Sequence, residues 1–189
     1  NSNSISSLVS MEKGFVKILK DRKDQRLFYF ADPIVGKAAN NFDNYEGVDA
    51  GLIISDQQNA ATSASKIHRR YVQNEINKPW IFIGFAEQEL LIAEGITRGW
   101  ASGSAQNRYN SGVRASMRSY GIGSIQMEQY LSNPLNTLVP AKAIEQIIIQ
   151  KYIALFMHSG REPFLEQRRT GFPSFSTGPA TLNGGVIPK

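Results

Sequence analysis

The sequence predicts a mainly α fold, built of tetratricopeptide-like helical hairpins with long irregular loops and forming a fragment of a larger domain. Three observations predict it. From Pro79 onward, apolar residues recur at helical spacing, with Gly and Pro between the runs. The turn at 99–103 is so short that the helices on either side of it must pack antiparallel. Residues 31–51, by contrast, hold Pro33, Gly36, Asn40, Asn41, Asn44, Gly47 and Gly51, which is a loop by composition. The chain therefore reads as one region in three stretches: a helix with a long loop region over 1–78, helical hairpins over 79–173, and a coil tail over 174–189. No strict repeat period accompanies the hairpins.

Taken in order, residues 1–9 are polar, and Ser10 is placed to cap a helix. The apolar positions of that helix, Met11, Phe15, Ile18 and Leu19, share one face, and it fades near Asp21. The aromatic-rich run Arg26–Phe30 reads as extended and Leu52–Ile54 as a short strand. The polar stretch Asp56–Lys66 reads as mobile. A helix over Gly84–Gly99 aligns Ala86, Leu90, Ala93 and Thr97. Ser104 caps the next helix, which turns Tyr109, Gly112, Val113, Ser116, Met117 and Tyr120 inward and stops at Gly121. Gly112 and Ala115 are small enough to let two backbones approach closely. Ser124–Leu131 is a third short helix, broken at Asn133 and Pro134. Pro140 suits the first turn of a helix that runs to about His158. That helix has two stripes, one with Ile144, Ile147, Ile148, Lys151 and Leu155, the other beside it with Ile149, Ile153 and Phe156. It must be buried against more than one neighbour. Gly160 closes it, Pro163 opens the last helix, and Gly171–Pro173 ends that one.

Composition excludes several functions. A hydrophobic fraction of 41% supports a folded core. The net charge of +5, from 21 basic and 16 acidic residues, is too scattered to form a nucleic-acid surface. The absence of cysteine removes disulfides, thiolate catalysis and Cys-ligated metals. No apolar run approaches the roughly 20 residues that span a bilayer. Asn1-Ser2-Asn3 at one end and Gly184–Lys189 at the other read as ends cut from a longer protein.

No catalytic constellation is visible. His68 lies in a basic, exposed context, and His158 falls at a helix C-terminus, where the dipole favours it. The two lack metal-ligand spacing. There is no Gly-x-Ser-x-Gly elbow and no phosphate-binding Gly loop. Glu87, Glu89 and Glu94 share a helix as a solvated or salt-bridged face rather than a hydrolytic pair. Asp43, Glu46, Asp49 and Asp56 lack the EF-hand pattern. No metal, no cofactor and no enzymatic activity are expected. The aromatic residues offer more. Tyr29, Phe30, Phe42 and Tyr45 surround a Gly/Asn-rich loop, where ring faces could stack on sugar C–H groups while amides such as Asn41 bond hydroxyls. The competing reading is that the same rings anchor the loop on the core.

Several segments resemble the SusD/RagB family of outer-membrane nutrient-binding lipoproteins, in its starch-binding, outer-membrane-associating branch. Lys23-Asp24-Gln25-Arg26-Leu27 with Tyr29-Phe30 resembles the family's Asn-Asp-Pro-Arg-Leu…Tyr-Phe segment, with Gln25 in place of Pro. Tyr45–Leu52 resembles its Tyr-x-Gly…Gly segment, and Phe85-Ala86-Glu87, Ala93-Glu94 and Arg98-Gly99-Trp100 its central helix. Tyr109, Gly112-Val113, Ala115–Met117 and Tyr120-Gly121 continue the match, as do Gln150–Leu155, Glu162-Pro163-Phe164 and Arg168–Pro173. The resemblance runs from about Lys17 to Lys189, the C-terminal portion of such a protein. It implies a non-catalytic, surface-exposed lipoprotein of the outer membrane, held by a lipid anchor outside this chain. Such a protein captures oligosaccharide or another nutrient and delivers it to a SusC-like TonB-dependent transporter. The matched motifs concern packing and turns, so Arg168 and Arg169 are expected to lock the last helices. Asn41, Phe42 and Tyr45 remain the glycan-contact candidates by local inference. A helical-repeat scaffold that binds protein partners without glycan is the alternative.

Overall fold

A computed structural model of the protein describes residues 9–71, 81–175, 177–179 and 185. The chain divides into two compact units, the first Asn1–Lys78 with Phe175–Pro188, the second built on Pro79–Ser174. Among the described residues the regular structure is helical, and β pairing is limited to isolated bridges.

In the first unit, helix α1 (Lys13–Asp21) buries Phe15, Val16 and Leu19. Its cap is Glu12 rather than Ser10: the Glu12 carboxylate accepts from the backbone N–H groups of Gly14 and Phe15, both at 2.7 Å. Ser10 instead pairs with Lys66 in an antiparallel bridge, and Glu12 with Val48 in a parallel one. Arg26–Phe30, expected to be extended, is a helical turn, α2 (Leu27–Phe30). The buried Asp24 carboxylate starts it by accepting from the Arg26 backbone N–H at 3.0 Å. Phe30 then stacks on Phe15, ring centroids 5.9 Å apart. Leu52–Ile54 is no strand either. Helix α3 (Ile54–Ala61) begins within it, and the Gln57 side chain donates to the carbonyls of Ala50 and Leu52. Three apolar residues are too few to fix a period, so local polar bonds decide. The stretch expected to be mobile is thus helical to Ala61. Beyond it, Ala64 and Ser65 are buried, and Ser65 carries a backbone bond from Met11 at 2.9 Å.

The second unit follows the sequence closely. Helix α4 (Phe85–Thr97) packs on α5 (Ala105–Arg118), and the Ser104 hydroxyl caps α5 at the Asn107 N–H, 3.2 Å. Tyr109, Gly112, Val113, Ser116 and Met117 are buried, whereas Tyr120 is half-buried. A Cβ on Gly112 would stand 2.7 Å from Leu90 Cγ and 3.0 Å from the Ala86 carbonyl oxygen, so the close approach requires glycine. Helix α6 (Ser124–Ser132) follows. A 3₁₀ turn over Pro140–Lys142 leads into α7 (Ala143–Ala154), which packs on α4, α5 and α8 (Arg161–Thr170). The expected single helix from Pro140 to about His158 is therefore shorter: it ends at Ala154 and gives way to turns, with Met157 in a left-handed conformation. Gly160 lies at the N-cap of α8, and Pro163 within its first turn.

Candidate ligand-binding site

The loop nominated by the sequence is ordered by its own hydrogen bonds. Phe42–Asn44 forms a 3₁₀ turn, started by the Asn41 side-chain oxygen, which accepts from the Asp43 N–H at 3.0 Å. The Asn44 amide donates to the Ala38 carbonyl at 2.8 Å, and Lys20 Nζ donates to the Tyr45 carbonyl at 2.9 Å. Lys20 also pairs with Glu46 at 2.8 Å. The loop is thus tied to α1 at its base.

The candidate residues separate sharply. Tyr45 is 1% exposed, with its ring 5.4 Å from that of Phe28, so it anchors the loop and offers no face to a ligand. Burial pushes its phenol pKa up, opposed by a backbone hydrogen bond from Asn40 and reinforced by the Asp32 charge. Phe30 is also buried, in the core. Phe42 is half-buried, against Phe28 at 4.6 Å and beneath the Lys23 ammonium at 5.3 Å. Asn41 is exposed, and its amide nitrogen is directed to no described group. Of its candidates, the loop therefore offers one exposed amide and one half-covered ring. The sequence missed the tilted Phe28–Phe42–Tyr45 cluster because Phe28 falls in the run read as extended.

Glu89 and Glu94 of α4 are ion-paired, as a salt-bridged helix face requires. Glu89 accepts from Arg108 at 2.9 Å. Glu94 accepts from Arg98 at 2.7 Å and from both terminal nitrogens of Arg169, at 2.6 and 2.9 Å. Arg169 also bonds Glu166, whose other oxygen takes the buried Lys151 ammonium. Burial pushes the Glu94 carboxyl up, but the hydrogen bonds from Arg169 and Arg98 outweigh it and hold its pKa below the ordinary value. The Arg169 pKa is raised, chiefly by its bond to Glu94. Arg169 therefore locks α8 to α4, while Arg168 lies over the Phe164 ring at 5.9 Å. Glu87 is the exception. Burial raises its pKa; Lys151 opposes the shift, and Glu162 and Glu166 add to it. Glu87 lines a cavity of about 200 Å³ with Phe85, Tyr120 and His158. His68 accepts the Arg70 N–H at 3.0 Å through Nδ1 and faces Asp32 at 3.7 Å. Among the described residues, no group of three or more His, Asp or Glu side chains is placed to hold a metal ion. No helix among them is long and apolar enough to cross a membrane.

Helical hairpins in one unit and a long, internally bonded loop in the other are the class to which fold and site point. The chain belongs to the SusD-like family described as starch-binding, associating with outer membrane, which matches residues 3–189. A SusD homologue of Bacteroides fragilis is 31% identical, with a TM-score of 0.80 over 92% of this chain and 42% of its own. A second from the same organism is 27% identical, with a TM-score of 0.79 over 94% and 43%. A chitin-binding protein is 28% identical, with a TM-score of 0.78 over 94% and 41%. The chain thus spans about two fifths of the length of these structures. No curated protein matches it.

Proposed function

We propose that the protein is a non-catalytic, surface-exposed glycan-binding component of an outer-membrane nutrient-uptake complex, and that it passes oligosaccharide to a SusC-like TonB-dependent transporter. The observation that carries this reading is membership of a starch-binding, outer-membrane-associating family along nearly the whole chain. Attachment is by a lipid anchor outside this chain. The similarity to a chitin-binding protein makes oligomers of N-acetylglucosamine the first ligands to test beside starch oligosaccharides.

Asn41 and Phe42 are the contacts proposed in the loop. The exposed amide would bond hydroxyls, and the open part of the ring would stack on sugar C–H groups. Tyr45 acts behind them by holding the turn in place. The pairing of Arg98, Arg108 and Arg169 with the α4 carboxylates supports a structural use of these acids, as the non-catalytic reading requires.

The test is calorimetric titration of the full-length protein against a glycan panel, alongside its isolation from outer membranes. Saturable binding to at least one oligosaccharide, together with co-isolation of a TonB-dependent transporter, is expected. A protein that co-isolates with the transporter but binds no glycan would retain the complex and remove the glycan role. Binding of neither would leave the protein-scaffold alternative.

A further inference from the structure

We propose that Trp100 is the platform of a second sugar-binding subsite, in the second unit, which takes a single pyranose ring of the oligosaccharide. The inference rests on the glycan-binding reading above and adds a subsite outside the loop. Trp100 is 74% exposed, although it is a large apolar ring in a compact unit. Its position is fixed by the end of α4. The Gly99 N–H donates to the Ile96 carbonyl at 3.0 Å and the Trp100 N–H to the Gly95 carbonyl at 2.8 Å, with Gly99 left-handed at φ +76°. This is the paired C-terminal capping arrangement that needs glycine at that position. The indole is thus held out from the helix end by the backbone itself.

The ring is also backed. The Arg98 guanidinium lies over it at 5.3 Å, and Arg98 is held by Glu94, itself clamped by Arg169. Beside the ring is a hollow of about 220 Å³, walled by Leu91, Glu94, Gly95, Trp100, Glu166 and Arg169. Trp100 thus borders this hollow, whereas Arg98, which lies over the ring, is not among its walls. That volume is below the roughly 300–1,000 Å³ of drug-sized sites, which suits one sugar ring.

The polar walls fit hydroxyl groups. Arg169 directs four N–H···O contacts at Glu94 and Glu166, and its guanidinium carries five N–H groups. Among the described residues, one donor on Nη1 is therefore left for a ligand, on a side chain that is 43% exposed. The two carboxylates retain acceptor capacity beside it. An apolar ring face next to a fixed donor and fixed acceptors matches a pyranose, which has a C–H face and hydroxyls that both donate and accept. Because the salt-bridge network already orders these groups, little side-chain freedom is lost on binding.

The experiment uses the full-length protein and N-acetylglucosamine and maltose oligomers as probes. Trp100→Ala should weaken binding of the recognised oligomer by about tenfold, and Trp100→Phe should restore most of it. In hydroxyl-radical footprinting, Trp100 should be modified in the free protein and protected by the oligomer. Unchanged affinity in Trp100→Ala, or a Trp100 that resists modification in the absence of glycan, would overturn the subsite while leaving glycan binding at the loop intact. If the wild-type protein binds no oligomer, the functional reading falls and takes the subsite with it.

Discussion

The two units of the chain solve the same problem in different ways. The second is a helical core: Leu90, Val113, Met117, Ile147 and Ile153 are fully enclosed, and ion pairs at its margin join α4 to α5 and α8. The first has short helices, isolated bridges and a long loop, and its interior includes a fully buried ion pair between Asp24 and Arg26. Apolar periodicity specifies the second unit; single polar contacts specify much of the first. Such a division leaves the first unit free to vary its loop while the hairpins stay fixed.

The comparison is tested most severely at Asp24. Asp24→Ala would remove the carboxylate paired with the fully buried Arg26 guanidinium, at a cost of about 3–5 kcal/mol. Chemical denaturation should show that loss, with amide exchange accelerating first in the first unit. Gly112→Val should act in the second unit, by forcing α4 from α5, and cost about 1–3 kcal/mol. A denaturation midpoint unchanged by this variant would show that the hairpin does not depend on close approach.

The smallest effect is a pH dependence with two opposite parts. The folded-state pKa of Glu94 is lowered, so its contribution is present above the ordinary carboxylate value and is lost as pH falls through the folded pKa. The pKa of Glu87 is raised, so its ionised form costs stability at neutral pH, and that cost disappears as pH falls through the raised value. Urea midpoints measured against pH should therefore flatten on the mildly acidic side in Glu87→Gln. The loss at lower pH should remain in that variant and weaken in Glu94→Gln.

These differences also explain what could be read from the chain. The α4–α5 hairpin was legible because Leu90, Tyr109, Gly112, Val113 and Met117 repeat at helical spacing, the Ser104 cap marks the start of α5 and the left-handed Gly121 its end. The Arg169 lock was legible as a role, but its partner Glu94, 75 residues away, was not. In the first unit, Arg26–Phe30 and Leu52–Ile54 were misread because β propensity is weak over so few residues. Contacts from Asp24 and Gln57 decide their conformation. Tyr45 could not be told from Phe42 in sequence, since burial depends on Phe28 lying beneath both rings. Trp100 carried a usable signal, a tryptophan in a Gly-flanked turn, where a core position is hard to reach.

We infer that the protein binds glycan without transforming it. Titration of the full-length protein with N-acetylglucosamine and maltose oligomers, with the chain lengths of the recovered sugar read by mass spectrometry, tests it most directly. Saturable binding of at least one oligomer, recovered at its original length, is expected. Shortened oligomers, or no binding by any of them, would contradict it.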